Sequence, residues 1–297
     1  DSDLVIEAVP EIMDLKKKVY AELDKVAGDQ VIFASNTSTL PISEIANTLS
    51  RPDKFIGIHF FNPPQLMKLV EIIPGQKTSD NILNLIIDLV KSVNKTPVIC
   101  RKDVPGFIVN RLFIPLVHEA CYVMERQKIQ QVEIDSAVKF NLGFPMGIFE
   151  LADYTGMDVI HKATIEMHLR DKKVINPHKT VEKMFDEKKL GQKSGEGYYK
   201  YSDDKYERVE LSEELAQKCN PIQLVANVLN NAAWLITNGA SDIEEIEMAA
   251  RLGLGLRKPL FETAKEIGIQ NIIDELNKLT ETYGEFYKPD PLLETMI

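Results

Sequence analysis

The chain has 297 residues, of which 44% are hydrophobic and 27% are charged, as in an ordinary globular protein with room for two domains. Its net charge of −10 argues against a nucleic-acid partner, because such proteins present basic surfaces. No apolar run reaches the roughly 18 residues of a membrane span, and nothing resembles a signal peptide, so no membrane partner is expected.

The cysteines indicate the redox environment of the protein. Cys100, Cys121 and Cys219 are odd in number and far apart in the sequence. They form neither a disulfide framework nor a metal-ligand set, so we expect no metal site and a reducing, cytoplasmic location.

The chain begins with a segment typical of a buried parallel strand, D-S-D-L-V-I-E-A-V-P-E. A helix is predicted over residues 12–27, with Leu15, Val19, Leu23 and Val26 on its apolar face. A folded domain seldom opens with a buried strand that has no partner before it. A dinucleotide-binding fold also needs a G-x-G-x-x-G turn, and the sequence contains none. The glycines of G-Q-K-S-G-E-G at 191–197 follow charged, helix-like sequence instead.

Alternating elements follow the first helix. Strands are predicted over 31–34, 55–61, 68–73 and 96–100, and helices over 42–49 and 81–93. This alternation is typical of an α/β layered sheet, which binds its ligands at the carboxyl ends of its strands. Ser38 and His59 fall at or near such ends, which favours a site there.

Two predicted strands each carry one ionisable residue where a core residue is expected. His59 lies in F-I-G-I-H-F-F and Glu71 lies in L-V-E-I-I. A buried carboxylate is costly unless it is paired, and the Asn-Pro-Pro turn between the strands can bring Glu71 to His59. An imidazole held by a carboxylate is a general-base arrangement. The structural alternative is a satisfied core histidine, an edge glutamate facing water, and a loop or helix cap at S-N-T-S.

The segment R-K-D-V-P-G-F at 101–107 has the Pro-Gly punctuation of a domain boundary, and the pattern beyond it is helical. A helix is predicted over 107–126, with Asn110 in its first turn. From the pattern alone, Asn110 is a capping or surface residue.

An internal repeat joins residues 134–160 to residues 246–272 at a constant offset of 112. Matching residues include Ala137, Leu142, Gly143, Phe149, Glu150, Ala152 and Gly156 in the first copy, and Ala249, Leu254, Gly255, Phe261, Glu262, Ala264 and Gly268 in the second. The constant offset and the matching glycines favour duplication over chance similarity of amphipathic helices.

Four motifs stand in one order: S-N-T-S-x-L, G-x-H-F-F-N-P, M-K-L-V-E and D-x-P-G-F-I-V-N-R. Through them the chain resembles the 3-hydroxyacyl-CoA dehydrogenase family, from about residue 3 to residue 201, with a more diverged continuation. The resemblance implies a partial Rossmann-like NAD-binding domain over residues 1–102, an all-α domain over 103–201, and a second, diverged copy of that domain over 202–297. It also implies that the first half of the nucleotide-binding domain is either missing from the protein or not included in this sequence.

The resemblance further implies oxidation of an (S)-3-hydroxyacyl-CoA to the 3-oxoacyl-CoA, with NAD as the cofactor. His59 would be the base, Glu71 would orient it, and Ser38 and Asn110 would bind the substrate oxygen. The positions that match cofactor contacts are Glu11, Lys16, Ser38, Asn62 and Lys193.

Several alternatives stay open. The chain can be the dehydrogenase portion of a bifunctional enoyl-CoA hydratase/dehydrogenase, a form unable to bind NAD, or a dehydrogenase of small 3-hydroxy acids. The last class commonly relies on a catalytic lysine, whereas this chain offers a histidine and a glutamate. Since relatives dimerise through the single copy of the helical domain, we expect either a monomer with an internal pseudo-dimer or a homodimer.

Overall fold

A computed structural model describes residues 2–202 and 205–296 of the chain. In chain order its main elements are β1 (Leu4–Glu7), α1 (Met13–Val26), β2 (Ile32–Ser35), α2 (Ile42–Ala46), β3 (Phe55–Phe60), β4 (Leu69–Pro74), α3 (Asp80–Ser92), β5 (Thr96–Ile99), α4 (Val109–Gln127), α5 (Gln131–Phe140), α6 (Ile148–Thr155), α7 (Met157–Arg170), α8 (Lys179–Asp186), β6 (Lys200–Ser202), β7 (Lys205–Glu207), α9 (Glu213–Ala216), α10 (Ile222–Thr237), α11 (Ile243–Gly253), α12 (Leu260–Ile267) and α13 (Ile269–Tyr283).

The chain forms two compact units. The sheet unit consists of Asp1–Val109 and Asn238–Gly253, and the helical unit consists of Asn110–Thr237 and Leu254–Ile297. Helix α11, which begins the second copy of the repeat, therefore belongs to the sheet unit. Among the described residues, no helix is both long enough and apolar enough to cross a lipid bilayer.

The sheet unit is built on five strands in the spatial order β1-β2-β3-β4-β5. Strands β1, β2 and β3 are parallel, β4 is antiparallel to β3, and β5 is parallel to β4. One face of the sheet packs on α3, in a core formed by Ile32, Ala34, Ile56, Ile58, Val70, Ile72, Ile82, Ile86 and Val90. The predicted α/β layered sheet is confirmed, and the order places the ends of β2 and β3 side by side.

One expectation for the start of the chain is wrong, and a second is confirmed in part. Strand β1 is parallel to β2 but is not buried, since Glu7 is its one buried residue and Ile6 is 42% exposed. Among the described strands β1 lies at the edge of the sheet, so its side chains are covered less than those of a central strand.

The buried face of helix α1 overlaps the predicted one but is centred on other residues. Lys16 and Tyr20 are its buried residues, Leu15, Val19 and Leu23 are half-buried, and Val26 is 82% exposed. The Tyr20 hydroxyl donates a 2.6 Å hydrogen bond to the Ala34 carbonyl, which turns the helix toward β2. The pattern of aliphatic residues in α1 does not predict that its most deeply buried residues are a tyrosine and an ion-paired lysine.

The helical unit contains the repeat, which is visible in the backbone. Helices α6 and α12 have the same length and lie 112 residues apart. Gly143 and Gly255 have φ values of 77° and 71°, and Gly156 and Gly268 have φ values of 100° and 94°. Because side chains rarely adopt such positive φ values, glycine is required at both positions in each copy.

Candidate active site

The strand pairing brings His59 and Glu71 together. They stand directly opposite each other in the antiparallel ladder of β3 and β4. His59 Nδ1 lies 2.8 Å from Glu71 Oε2, with His59 only 7% exposed and Glu71 fully buried. An ionised carboxylate can only accept hydrogen bonds, so Nδ1 carries the proton and Nε2 is left as the acceptor.

The second oxygen of Glu71 is held by the backbone. Oε1 accepts hydrogen bonds from the N–H groups of Ile108 and Val109, both at 2.9 Å. Both oxygens of Glu71 therefore have hydrogen-bond partners, as a buried carboxyl group requires. Sequence reasoning missed these two donors because backbone groups leave no residue type to recognise.

The turn before α4 aims these N–H groups at Glu71. Gly106 and Phe107 have consecutive positive φ values, 78° and 52°. Positive φ is costly for a bulky residue such as phenylalanine and is most often found at functional sites. Phe107 is fully buried, and its ring centroid lies 6.2 Å from that of His59. The Pro-Gly-Phe sequence was therefore a signal for the turn that completes the Glu71 site.

Aromatic rings surround the imidazole. The Phe61 ring centroid lies 4.4 Å from that of His59, and Phe107 approaches from a second direction. Apolar walls exclude water, which strengthens the hydrogen bond to Glu71 and reduces competition for Nε2. The hydrogen bond to Glu71 orients the imidazole, and this pairing is the arrangement that the sequence predicted.

Ser38 lies in a loop after β2 that is organised by Glu11. Glu11 Oε1 accepts hydrogen bonds from the Thr37 hydroxyl at 2.6 Å, the Ser38 N–H at 2.8 Å and the Thr39 N–H at 3.0 Å. Burial acts to raise the pKa of Glu11, but these bonds and the Lys16 charge outweigh it and lower the pKa below its usual value. The loop therefore holds a negative charge at the carboxyl end of β2.

Lys16 links Glu11 to a second buried carboxylate. Its Nζ lies 2.7 Å from Glu7 Oε1 and 3.3 Å from Glu11 Oε2, and the residue is fully buried. Glu7 Oε2 in turn accepts the Ser35 hydroxyl at 2.7 Å. Sequence reasoning missed Glu7, although an acidic residue at the end of an apolar strand was a usable signal.

A side chain also joins the ends of β2 and β3. Asn36 Oδ1 accepts the Phe60 N–H at 2.8 Å. Asn62 follows β3, is exposed, and precedes Pro63 through a cis peptide bond.

The predicted site residues fall into separate groups. The sheet unit brings His59 to Glu71, and it brings Glu11, Lys16 and Ser38 into one network. Asn110 lies in the first turn of α4 and belongs to the helical unit. Lys193 also belongs to that unit, where its ammonium group pairs with Asp158.

A mostly parallel sheet flanked by helices, with polar side chains at the carboxyl ends of its strands, defines the class of α/β proteins that bind their ligands at that edge. Residues 1–104 match the family description "3-hydroxyacyl-CoA dehydrogenase, NAD binding domain". Residues 106–201 and 223–297 match "3-hydroxyacyl-CoA dehydrogenase, C-terminal domain". The chain belongs to the 3-hydroxyacyl-CoA dehydrogenase family.

Individual relatives agree with this assignment. The human mitochondrial hydroxyacyl-coenzyme A dehydrogenase is 45% identical over 202 residues, which cover 67% of this chain and 64% of the relative. The fatty acid oxidation complex subunit alpha of Vibrio parahaemolyticus is 32% identical over 97% of this chain and 42% of its own length. The crystal structure of 3-hydroxybutyryl-CoA dehydrogenase from Escherichia coli superposes with a TM-score of 0.85 at 27% identity, covering 99% of this chain and 81% of the other.

Proposed function

We propose that the protein oxidises an (S)-3-hydroxyacyl-CoA to the 3-oxoacyl-CoA with NAD as hydride acceptor. The observation that carries the proposal is the buried pair of His59 and Glu71, joined by a 2.8 Å hydrogen bond at the carboxyl end of β3. Removal of a hydride from a secondary alcohol requires a base for the hydroxyl proton, and an oriented imidazole is suited to that step near neutral pH.

In the proposed mechanism, His59 Nε2 accepts the proton of the substrate hydroxyl. The ring then carries a positive charge, which the adjacent Glu71 carboxylate stabilises. The N–H groups of Ile108 and Val109 hold Glu71 in place, so little reorganisation accompanies the proton transfer. Ser38 and Asn110 are proposed to hydrogen-bond the substrate oxygen, a role that rests on the family resemblance.

The residues at the ends of β1 and β2 fit a nicotinamide cofactor. An oxidised nicotinamide is cationic, and the Glu11 carboxylate keeps a lowered pKa in a hydroxyl-rich loop. NAD, when bound, supplies the acceptor for the hydride from the carbinol carbon. We propose that Glu11, Ser38 and Asn62 contact it, while Lys16 acts through Glu11 because its ammonium already binds two carboxylates. Lys193 stays a cofactor-contact prediction from the resemblance.

The test is NADH-dependent reduction of acetoacetyl-CoA by the purified chain, followed as loss of NADH absorbance. Replacing the base with His59→Gln is expected to lower turnover by about 10²–10⁴-fold, with a small change in substrate binding. Equal rates for the two proteins would show that His59 is not the base. Binding of both NADH and acetoacetyl-CoA without turnover would contradict the proposed reaction, and failure to bind NADH would favour a form unable to use NAD.

A second candidate is that this chain is the dehydrogenase portion of a multifunctional fatty-acid oxidation protein. It is favoured by the Vibrio parahaemolyticus subunit, which aligns with 97% of this chain but over only 42% of its own length. Detection of enoyl-CoA hydration by the native, undigested protein would support this arrangement. The cytoplasmic location likewise stays a prediction from the cysteines.

The repeat supports a monomer with an internal pseudo-dimer. The Arg257 N–H donates a 2.9 Å hydrogen bond to the Gly143 carbonyl, and a Cβ on Gly255 would lie 2.8 Å from Pro145. Residues 255 and 257 are the repeat equivalents of residues 143 and 145. The contact is therefore reciprocal, as in a two-fold interface between identical subunits. Light scattering is expected to give the mass of one chain, and a stable dimer joined through the first copy would contradict this proposal.

A further inference from the structure

We propose that Gly253, the last residue of α11, is a positioning residue for the His59–Glu71 pair. The inference rests on the proposed function for its catalytic meaning, but its structural part concerns contacts within the sheet unit alone. A Cβ at position 253 would lie 2.9 Å from Leu69 Cδ2, 2.9 Å from Val109 Cγ2 and 3.2 Å from Val109 Cγ1. Such approaches are closer than real Cβ contacts, so a neighbour must move.

Both neighbours lead to Glu71. The Val109 N–H donates to Glu71 Oε1, and Leu69 lies two residues before Glu71 in β4. Leu69 and Val109 are both buried, and the branched side chain of Val109 has little rotamer freedom in a helix. Gly253 therefore packs closely against two residues that are connected to Glu71, the carboxylate that orients the imidazole.

Helix α11 cannot simply move away, because its N-terminal side is tied to the strand β5 edge. Glu245 Oε2 accepts the Ile99 N–H at 3.1 Å, and the Arg101 N–H donates to the Ala240 carbonyl at 2.7 Å. Arg101 also pairs with Asp242 at 2.9 Å. A side chain at position 253 would therefore displace Val109 and disturb the N–H groups that hold Glu71.

The repeat supports this reading independently. Position 253 corresponds to Asn141 in the first copy, which is exposed at the end of α5. Gly253 does not have a positive φ, so backbone conformation does not require a glycine there. The close approach to Val109 is the remaining reason for it.

The experiment compares Gly253→Ala with Gly28→Ala, whose Cβ would meet only the flexible end of Gln30. The first readout is the downfield NMR resonance of the His59 Nδ1 proton in histidine-labelled full chain, assigned with His59→Gln. We expect this resonance to shift or broaden beyond detection in Gly253→Ala and to remain in Gly28→Ala. In the reductase assay, Gly253→Ala should lower kcat by about 10-fold with little change in KM, because misplacement of a base affects the chemical step.

The double variant Gly253→Ala with Val109→Ala completes the test by removing the two colliding Cγ atoms of Val109, while the Leu69 Cδ2 atom at the end of a flexible side chain can move by a rotamer change. Recovery of the His59 resonance in the double variant would show that the collision at position 253 acts through Val109. This conclusion holds even if the single variant does not fold. An unchanged resonance in Gly253→Ala, or a double variant that does not recover it or does not fold, overturns the proposal. The NMR readout requires no turnover, so failure of the proposed dehydrogenase reaction is distinguished from failure of the positioning role.

Discussion

The first helices of the two repeat copies occupy equivalent positions in the sequence but have different surroundings. In α5, Glu133 accepts the Gln130 N–H at 2.8 Å and closes the N-terminus of its own helix. The equivalent residue in α11, Glu245, instead accepts the Ile99 N–H of the sheet unit. One carboxylate position therefore stabilises a helix in one copy and covers a strand edge in the other.

The interiors of the two copies differ more. In the first copy, buried Asp135 accepts the N–H groups of Phe149 and Glu150, at 2.8 and 3.2 Å, and so caps α6. Asp153 accepts two further N–H groups from the segment after residue 197. The corresponding residues of the second copy are Glu247, which is half-buried, and Lys265, which is exposed.

The comparison shows what duplication preserves. The glycines with positive φ and the apolar residues are kept, because the helix turns and the packing of each copy depend on them. Within residues 134–160 and 246–272, the buried carboxylates occur only in the first copy, where backbone N–H groups donate hydrogen bonds to their oxygens. The backbone conformation thus restricts the residue types in both copies in the same way. The buried polar residues differ, because each copy contacts different parts of the protein.

The largest effect is expected for Asp153→Ala. Asp153 accepts the Tyr198 and Tyr199 N–H groups at 2.8 and 2.9 Å and the Tyr201 hydroxyl at 2.6 Å, so its loss leaves buried donors unpaired. We expect a decrease of about 2–4 kcal/mol in the free energy of unfolding. The matched variant Lys265→Ala should change it by less than about 0.5 kcal/mol, because its side chain is exposed. Urea denaturation measures both, and equal losses would refute the assigned difference between the copies.

An intermediate effect of nearly equal size is expected for Gly156→Ala and Gly268→Ala. Both residues combine φ near 100° with ψ values of 129° and 116°, a region that is almost restricted to glycine. Each substitution should reduce the free energy of unfolding by about 1–3 kcal/mol. If thermal denaturation shows a loss in one copy only, the two turns are not equivalent and the duplication argument fails.

Much of the sheet unit could be predicted, because alternating apolar runs determine strands and the register of a hairpin follows from its turn. The opposition of His59 and Glu71 is of this kind. The burial of Lys16 in α1 could not be predicted, since it depends on ion pairs with Glu7 and Glu11. Such pairs join residues through the fold and leave no periodic pattern in the sequence.

The glycines at 191–197 illustrate a second limit. The charged, helix-like sequence before them distinguishes them from the glycines of a phosphate-binding turn. The sequence does not show, however, why glycine is needed at these positions. A Cβ on Gly191 would lie 2.2 Å from the Asp153 carbonyl oxygen, and one on Gly197 would lie 2.0 Å from Asp153 Oδ1. These glycines allow the backbone to wrap around a buried carboxylate, which is a tertiary contact that no local motif specifies.

The smallest expected effect, counted per pH unit, is a pH dependence of stability that arises in the first copy. Burial raises the pKa of Asp135 from an ordinary value near 3.8 to about 8, a rise also favoured by the nearby Glu150 charge and opposed by the Phe149 N–H and the Tyr199 hydroxyl. The folded state therefore binds this proton more tightly than the unfolded state does. Between about pH 4 and pH 8 the stability contributed by Asp135 is lost as the pH rises, by at most about 1.4 kcal/mol per pH unit.

Asp135→Asn removes this titration and should flatten the pH dependence of the free energy of unfolding in that window. Urea unfolding at a series of pH values compares this variant with the unmodified protein. Parallel slopes for Asp135→Asn and the unmodified chain would mean that Asp135 is ionised in the folded state at neutral pH. The first copy would then hold a paired charge, and the two copies would differ only in the partners of their carboxylates.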